Sequence, residues 1–175
     1  FSEPILGLTE SSFSVLGGSD VTPGSLNTVD DIVWTFTVDP NNDGSVPVKL
    51  VSMKVSDAAG NRNTVSNTIN VLYDATSPTP VISSSVAPAT NISPIPFTVT
   101  FTEPVSGLTE EEITISGGTI DSGSLFETDG MTFTFTVTPT TDGLISATIP
   151  SGVLQDTAGN DNVVSNTQDI TFDST

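Results

Sequence analysis

The sequence predicts an all-β chain of tandem antiparallel β-sandwiches, the first lacking its first two strands. Three observations carry that expectation. Thr, Ser, Val, Gly, Asn and Pro dominate, and helical periodicity is missing throughout. Apolar residues alternate with threonines in short runs, the period of a half-buried strand. A polar loop also occurs twice, as Asp57-Ala58-Ala59-Gly60-Asn61-Arg62-Asn63 and as Asp156-Thr157-Ala158-Gly159-Asn160-Asp161-Asn162, and each copy runs on into Val-Ser-Asn-Thr.

The two loops lie 99 residues apart. Gly7-Leu8-Thr9-Glu10 matches Gly107-Leu108-Thr109-Glu110, and Thr35-Phe36-Thr37-Val38 matches Thr134-Phe135-Thr136-Val137. The offset is 100 before Gly18 and 99 after Gly24, so repeat 1 carries one extra residue between them. Residues 1–76 correspond to 101–175, whereas 77–100 have no earlier counterpart. This gives a partial module at 1–76 and a whole one at 77–175. A period near 100 suits a sandwich domain rather than a solenoid turn of roughly 20–50 residues.

Taken in order, Phe1 to Pro4 is the end of a strand, and Gly7 to Ser12 a loop that Thr9-Glu10 can turn once into helix. Phe13 and Val15 form a short strand before the Gly17-Gly18 turn. Ile32 to Val38 predicts one continuous strand with Trp34, Phe36 and Val38 on its inner face. Val46, Val48 and Leu50 begin the next strand, and Ile69, Val71 and Tyr73 close the module. Pro78 and Pro80 stiffen the linker that follows. In module 2, Val81-Ile82 and Val86 make a first strand and Pro88 to Pro96 a turn. Phe97, Val99 and Phe101 point inward from the second strand, and Ile113 with Ile115 follows the Glu110-Glu111-Glu112 run. Phe133, Phe135 and Val137 repeat the Trp34 pattern. Leu144, Ile145, Ala147 and Ile149 form the penultimate strand, and Ile170 with Phe172 the last.

Seven or so short strands at roughly 8–15-residue spacing indicate an Ig-like sandwich. At Phe101-Thr102-Glu103-Pro104-Val105, Gly107-Leu108-Thr109, Phe135-Thr136-Val137-Thr138-Pro139 and the Asp-x-Ala-Gly-Asn-x-Asn loops, the chain resembles bacterial Ig-like repeats. These are strung along large secreted or surface-anchored proteins, RTX-type adhesins among them. The resemblance spans nearly the whole chain. It implies an extracellular or cell-surface setting and a structural or adhesive role. Arg62 departs from the pattern where repeat 2 has Asp161, and weakens any cation site in module 1.

Composition narrows the chemistry. There are 21 acidic residues against three basic ones, for a net charge of −18. Such a surface repels phosphate, so neither nucleic acid nor anionic membrane is an expected partner. There is no His and no Cys. This removes the commonest general base and transition-metal ligand, and all thiol chemistry. Nothing reads as a membrane span of about 20 apolar residues, and any targeting segment is expected upstream of Phe1. With no Ser/His/Asp set, phosphate loop or zinc pattern, the chain is not expected to be an enzyme.

The repeated loop has two readings. Asx side chains cap their own turns and Gly takes positive φ, so turn chemistry alone accounts for the motif. The sharper reading is Ca²⁺, a hard cation that takes six to eight oxygens. In an Ig-like sandwich the end of the second strand, the connection before the last strand and the domain's N-terminus share one pole. That topology predicts a Ca²⁺ site at the domain junction from Asp74, Glu103, Asp156 and Asn160, with Asn162 in the same loop. Glu3, Asp57 and Asn61 are the equivalent half-site of module 1. Asp39 to Gly44 matches the first half of an EF-hand loop, but Leu50 stands where the closing Glu is needed, and a hairpin turn reads better. The three glutamates at 110–112 read as a solvated loop. Asn91-Ile92-Ser93 is a glycosylation sequon. Lys49 and Lys54 lack counterparts in module 2, which argues against an isopeptide crosslink.

The leading functional expectation is a structural or adhesive repeat that spaces and stiffens a larger protein, its partners being neighbouring repeats or other copies of the chain. One alternative is a module binding a surface glycan or protein ligand; aromatics on inward strand positions argue against it. Another starts from the incomplete first module. Its missing strands are expected upstream, or else come from another copy, as in a swapped dimer or a filament.

Overall fold

The computed structural model describes residues 1–175, and the chain divides into two compact units, Phe1–Ala75 and Thr76–Thr175. Unit 2 is the fuller. Its strands are β8 (Pro80–Ser84), β9 (Ala89–Thr90), β10 (Ile95–Phe101), β11 (Val105–Ser106), β12 (Thr114–Ser116), β13 (Gly118–Ile120), β14 (Phe126–Glu127), β15 (Thr132–Pro139), β16 (Gly143–Thr148), β17 (Gln155–Asp156) and β18 (Gln168–Phe172), preceded in unit 1 by seven others described below. One sheet runs β13-β15-β10-β8, with β14 also on β15; the second runs β12-β16-β18-β9; β11 and β17 pair separately. All pairs are antiparallel except β9 with β18. The turn predicted over Pro88 to Pro96 therefore hides a short strand.

The alternation in sequence becomes the core. Phe97 sits opposite Phe135 and Val99 opposite Phe133 across the β10–β15 ladder. The Phe97 and Phe135 rings stack at 5.3 Å, and Phe101 meets Phe133 edge-on at 5.8 Å. Ile145, Ala147 and Ile170 close the core from the second sheet. Each fully buried side chain of this kind contributes about 1.5–3 kcal/mol. Gly117 is required where it stands. It has φ +80°, and a Cβ there would lie 2.2 Å from the Leu144 carbonyl oxygen.

Unit 1 contains β1 (Phe13–Val15), β2 (Asp20–Val21), β3 (Asn27–Thr28), β4 (Trp34–Thr35), β5 (Val38–Asp39), β6 (Gly44–Leu50) and β7 (Ile69–Tyr73). One sheet is β1-β6-β7, and β2-β5 and β3-β4 are separate pairs. Counterparts of β8 to β10 are missing, and the residue equivalent to the end of β10 is Phe1. The core shrinks to Ile5, Leu8, Leu50 and Val55, with Phe13, Leu26 and Trp34 packed on it.

The continuous strand expected over Ile32 to Val38 is not formed. It breaks at Phe36-Thr37 into β4 and β5. Its equivalent β15 is held along one edge by β10 and along the other by β13 and β14. In unit 1 only the second edge has partners, β2 and β3. Alternation supplies a face to bury, but the β2 and β3 ladder is interrupted opposite Phe36-Thr37; β15 stays continuous across the same interruption because β10 pairs with its other edge.

The acidic run at 110–112 forms a capped 3-10 turn, and none of its residues is buried. Both the backbone N–H and the hydroxyl of Thr109 donate to Glu112 Oε2, at 2.8 and 2.5 Å. Gly123 N–H donates to Glu110 Oε1 at 2.8 Å, as Gly24 does to Glu10 at 2.5 Å. Glu10 and Glu110 thus pin the same distant turn in each repeat.

Candidate functional site

Asp156 ends β17, opposite Val105, and is buried. Its carboxylate organises the loop. Oδ1 accepts the backbone N–H groups of Ala158, Gly159 and Asn160 at 2.8, 2.7 and 2.9 Å, and Oδ2 accepts Asn160 Nδ2 at 2.9 Å. Burial pushes the Asp156 carboxyl up. The Asn160 amide and the converging N–H groups outweigh that, so the net shift is downward. The group is therefore a fixed anion at neutral pH.

Asp57 repeats the arrangement. Its Oδ1 accepts Asn61 N–H at 2.8 Å and its Oδ2 accepts Asn61 Nδ2 at 2.7 Å, and the Asn61 amide holds its carboxyl below the ordinary range. Exposed Glu3 lines one surface cleft with Asp57 and Asn61. Arg62 stands on the same wall and donates to the Met53 carbonyl at 2.8 Å.

Glu103 lies two residues past β10 and is half-buried. A carboxylate oxygen of Glu103 lies within 4.8 Å of one of Asp156. Asp74 follows β7 directly at the end of unit 1 and is half-buried. The donors of this loop are all oxygens of carboxylates and an amide. They suit a hard cation such as Ca²⁺ and offer nothing to a metal that seeks nitrogen or sulfur.

Asn162 has a different task. Its Oδ1 accepts Val153 and Leu154 N–H at 3.0 and 2.8 Å, and its Nδ2 donates to the Pro150 and Val163 carbonyls, both at 2.8 Å. The residue is buried. Both lone pairs and both protons of the amide are used, so Asn162 is a structural clamp and leaves the ligand set. Asn63 makes the same four contacts in unit 1, with Lys54, Val55, Val51 and Thr64. Sequence reasoning overlooked Asn63; its recurrence at the same loop position in both repeats was the available signal. Asn162→Ala strands two N–H groups and is expected to cost about 2–4 kcal/mol. Denaturant unfolding followed by far-UV circular dichroism checks this, and a cost below about 0.5 kcal/mol, the scale of a neutral surface change, would rule out the clamp.

Other side chains singled out in the sequence are also structural. Asp43 Oδ1 accepts Ala75 N–H at 2.8 Å, and Asp142 Oδ1 accepts Ser174 N–H at 3.0 Å. The first half of the EF-hand pattern is thus a turn that ties down the chain after the last strand. Asp30, Asp57, Glu112, Asp121, Asp129, Asp156 and Asp173 are all held below their ordinary carboxyl values. A lowered folded value means stability that is complete above the unfolded value, near pH 4, and lost as pH falls through the folded ones. With no His to titrate, Tm is expected to stay flat from about pH 7 to 5 and to fall below about pH 4. A scan at constant ionic strength checks it. A Tm that climbs on acidification would mean that relief of the net charge of −18 outweighs these bonds.

Two packed sheets, short connections and a polar loop at one end define an Ig-like β-sandwich module. The bacterial Ig-like domain family matches residues 1–73 and again 74–172, and the chain belongs to that family. Its domains are typically non-catalytic and often surface-exposed. None of the curated proteins compared with the chain matches it. No helix is long and apolar enough to cross a membrane.

Proposed function

We propose that the chain is a structural and adhesive extracellular segment of a larger surface or secreted protein, and that Ca²⁺ held by the Asp156 loop stiffens it. Family membership supports a structural or adhesive module. The observation that carries the cation reading is the ionised, buried Asp156 with Glu103 within 4.8 Å. Asp74 is the proposed third carboxylate. It stands two residues before unit 2, and an extended chain advances only about 3.3–3.6 Å per residue. Asn160 is the proposed amide ligand, and its Nδ2 donates to Asp156 Oδ2 at 2.9 Å. Glu3, Asp57 and Asn61 form the weaker companion site, because Arg62 adds a positive charge to that cleft.

Stiffening follows from the linker. Pro78 and Pro80 restrict the backbone, and the Pro78 carbonyl accepts Val163 N–H at 3.0 Å. A cation tying Asp74 to this region leaves little freedom between the last strand of one module and the first of the next. Thermal unfolding of EDTA-stripped protein with and without Ca²⁺ tests the reading. An unchanged Tm would leave a passive Ig-like spacer whose repeated loop is turn chemistry alone.

A further inference from the structure

Five strands stand at the edges of the two main sheets of unit 2. Four are short: β12 and β13 hold three residues each, β9 and β14 two. β8 holds five. It reads Pro80-Val81-Ile82-Ser83-Ser84, without one charge, and pairs on one side only, with β10. A long edge strand is a template for a further strand, and proteins blunt such edges with charge, proline or brevity. β8 has neither charge nor brevity.

Its open side is closed by other means. Thr79 N–H donates to Thr102 Oγ1 at 3.0 Å, and the Thr79 carbonyl accepts Thr102 N–H at 3.2 Å. Residue 79 thus faces β10. By the alternation of an antiparallel ladder 81 and 83 do so too, while 78, 80 and 82 turn their backbone groups outward. Pro78 and Pro80 have no N–H to offer, and the Pro78 carbonyl accepts Val163 N–H at 3.0 Å. That leaves Ile82. Its N–H donates to Asn166 Oδ1 at 2.8 Å, and its carbonyl accepts Asn166 Nδ2 at 2.9 Å. From 78 to 82, every outward N–H is absent or used. Asn166 comes from the segment leading into β18, 84 residues further along the chain. Its own side chain is exposed, so it adds little to the core. What it does is occupy the edge.

We propose that Asn166 is an edge guard and that β8 behind it is a latent self-association surface. In the hydrogen-bonded pair of an antiparallel ladder, each residue gives its N–H to the other's carbonyl. The Asn166 amide stands in for that facing residue, with one oxygen and one N–H on Ile82. Once the amide is gone, the occupant is β8 of a second copy. The strands meet antiparallel about a two-fold axis with Ile82 opposite Ile82, and exchange the two bonds that Asn166 now makes. A second copy fits because its strand is identical and uncharged, so the new rungs bury no charge. The proposal goes beyond the cation reading and does not depend on it.

Sedimentation velocity of the full chain over a range of concentrations tests this. The runs use about 0.15 M salt, where a screening length of about 8 Å mutes the repulsion between copies. The unaltered chain is expected to stay monomeric, and Asn166→Ala to form a concentration-dependent dimer. At dilutions where Asn166→Ala is monomeric, its Ile82 amide is expected to exchange about tenfold faster, the rate equivalent of one lost hydrogen bond. Val81 is 52% exposed on the same strand. Adding Val81→Asp puts a carboxylate from each copy into the new ladder and is expected to return Asn166→Ala to monomer. A folded Asn166→Ala that stays monomeric at every concentration overturns the proposal. So does association that Val81→Asp leaves untouched, since loosening of the whole unit would then be its cause. If Asn166→Ala does not fold, Asn166→Gln carries the same outcomes, because its extra methylene moves the amide off Ile82.

Discussion

Phe135→Ala is expected to lower the stability of unit 2 by about 3–5 kcal/mol, the range for emptying a buried Phe site. Phe135 stacks on Phe97 at 5.3 Å, sits in the middle of β15 and is 1% exposed. A domain of this size has only about 5–15 kcal/mol in total, so one substitution removes much of it. At about 4–8 °C per kcal/mol, the fall in Tm is large enough to see by circular dichroism. Phe36→Ala at the equivalent position of unit 1 is expected to cost less than about 2 kcal/mol, because half-burial leaves less apolar area to lose. Phe36 keeps the Phe13 ring at 4.2 Å but faces an open cleft. Trp34 and Tyr73 both lie in unit 1, so its unfolding is followed separately by fluorescence. Equal costs at the two positions would contradict the difference in packing described here.

Ca²⁺ at about 100 times its Kd is expected to add roughly 2.7 kcal/mol to the folded state. For a unit of about 100 residues that is a rise in Tm of about 10 °C or more. Ionic strength must be held constant, because any salt relieves the self-repulsion of a chain with net charge −18. The same ionic strength made up with Mg²⁺ is expected to give little of the rise, since a small ion that dehydrates reluctantly suits an all-protein oxygen cage poorly. Asp156→Ala is expected to remove any Ca²⁺ response but also to untie the loop, whose N–H groups its carboxylate accepts. Glu103→Gln keeps side-chain size and removes one charge, and it is expected to abolish most of the Ca²⁺ response. An undiminished rise in Glu103→Gln would place the ion elsewhere on this acidic surface.

The sheets were legible because their signal is local. Phe97, Val99 and Phe101 alternate with threonines, and each packs as its parity dictates. The strand at Ile32 to Val38 carries the same signal and still breaks, because continuity depends on a neighbour that alternation does not encode. Residue type pointed to Asp156 and Asn160, whose mutual bonds span four residues. Asn162 misled for a related reason. An amide is equally suited to a cation and to four backbone groups, and which it meets depends on how residues 150–154 fold back. Glu110 reaches Gly123 across thirteen residues, a contact invisible in a run of three glutamates.

The short parallel pair β9–β18 has a mechanical consequence. Thr171 N–H donates to the Pro88 carbonyl at 2.7 Å, and Asp173 N–H to the Thr90 carbonyl at 3.0 Å. One of these strands lies near the start of unit 2 and the other at its end, and they run in the same direction. Tension applied at the two ends of the unit therefore slides them past each other. Their hydrogen bonds are loaded together, in shear, instead of being peeled open singly. A two-residue strand inside a proline-rich turn thus lies on the shear path of a pulled module.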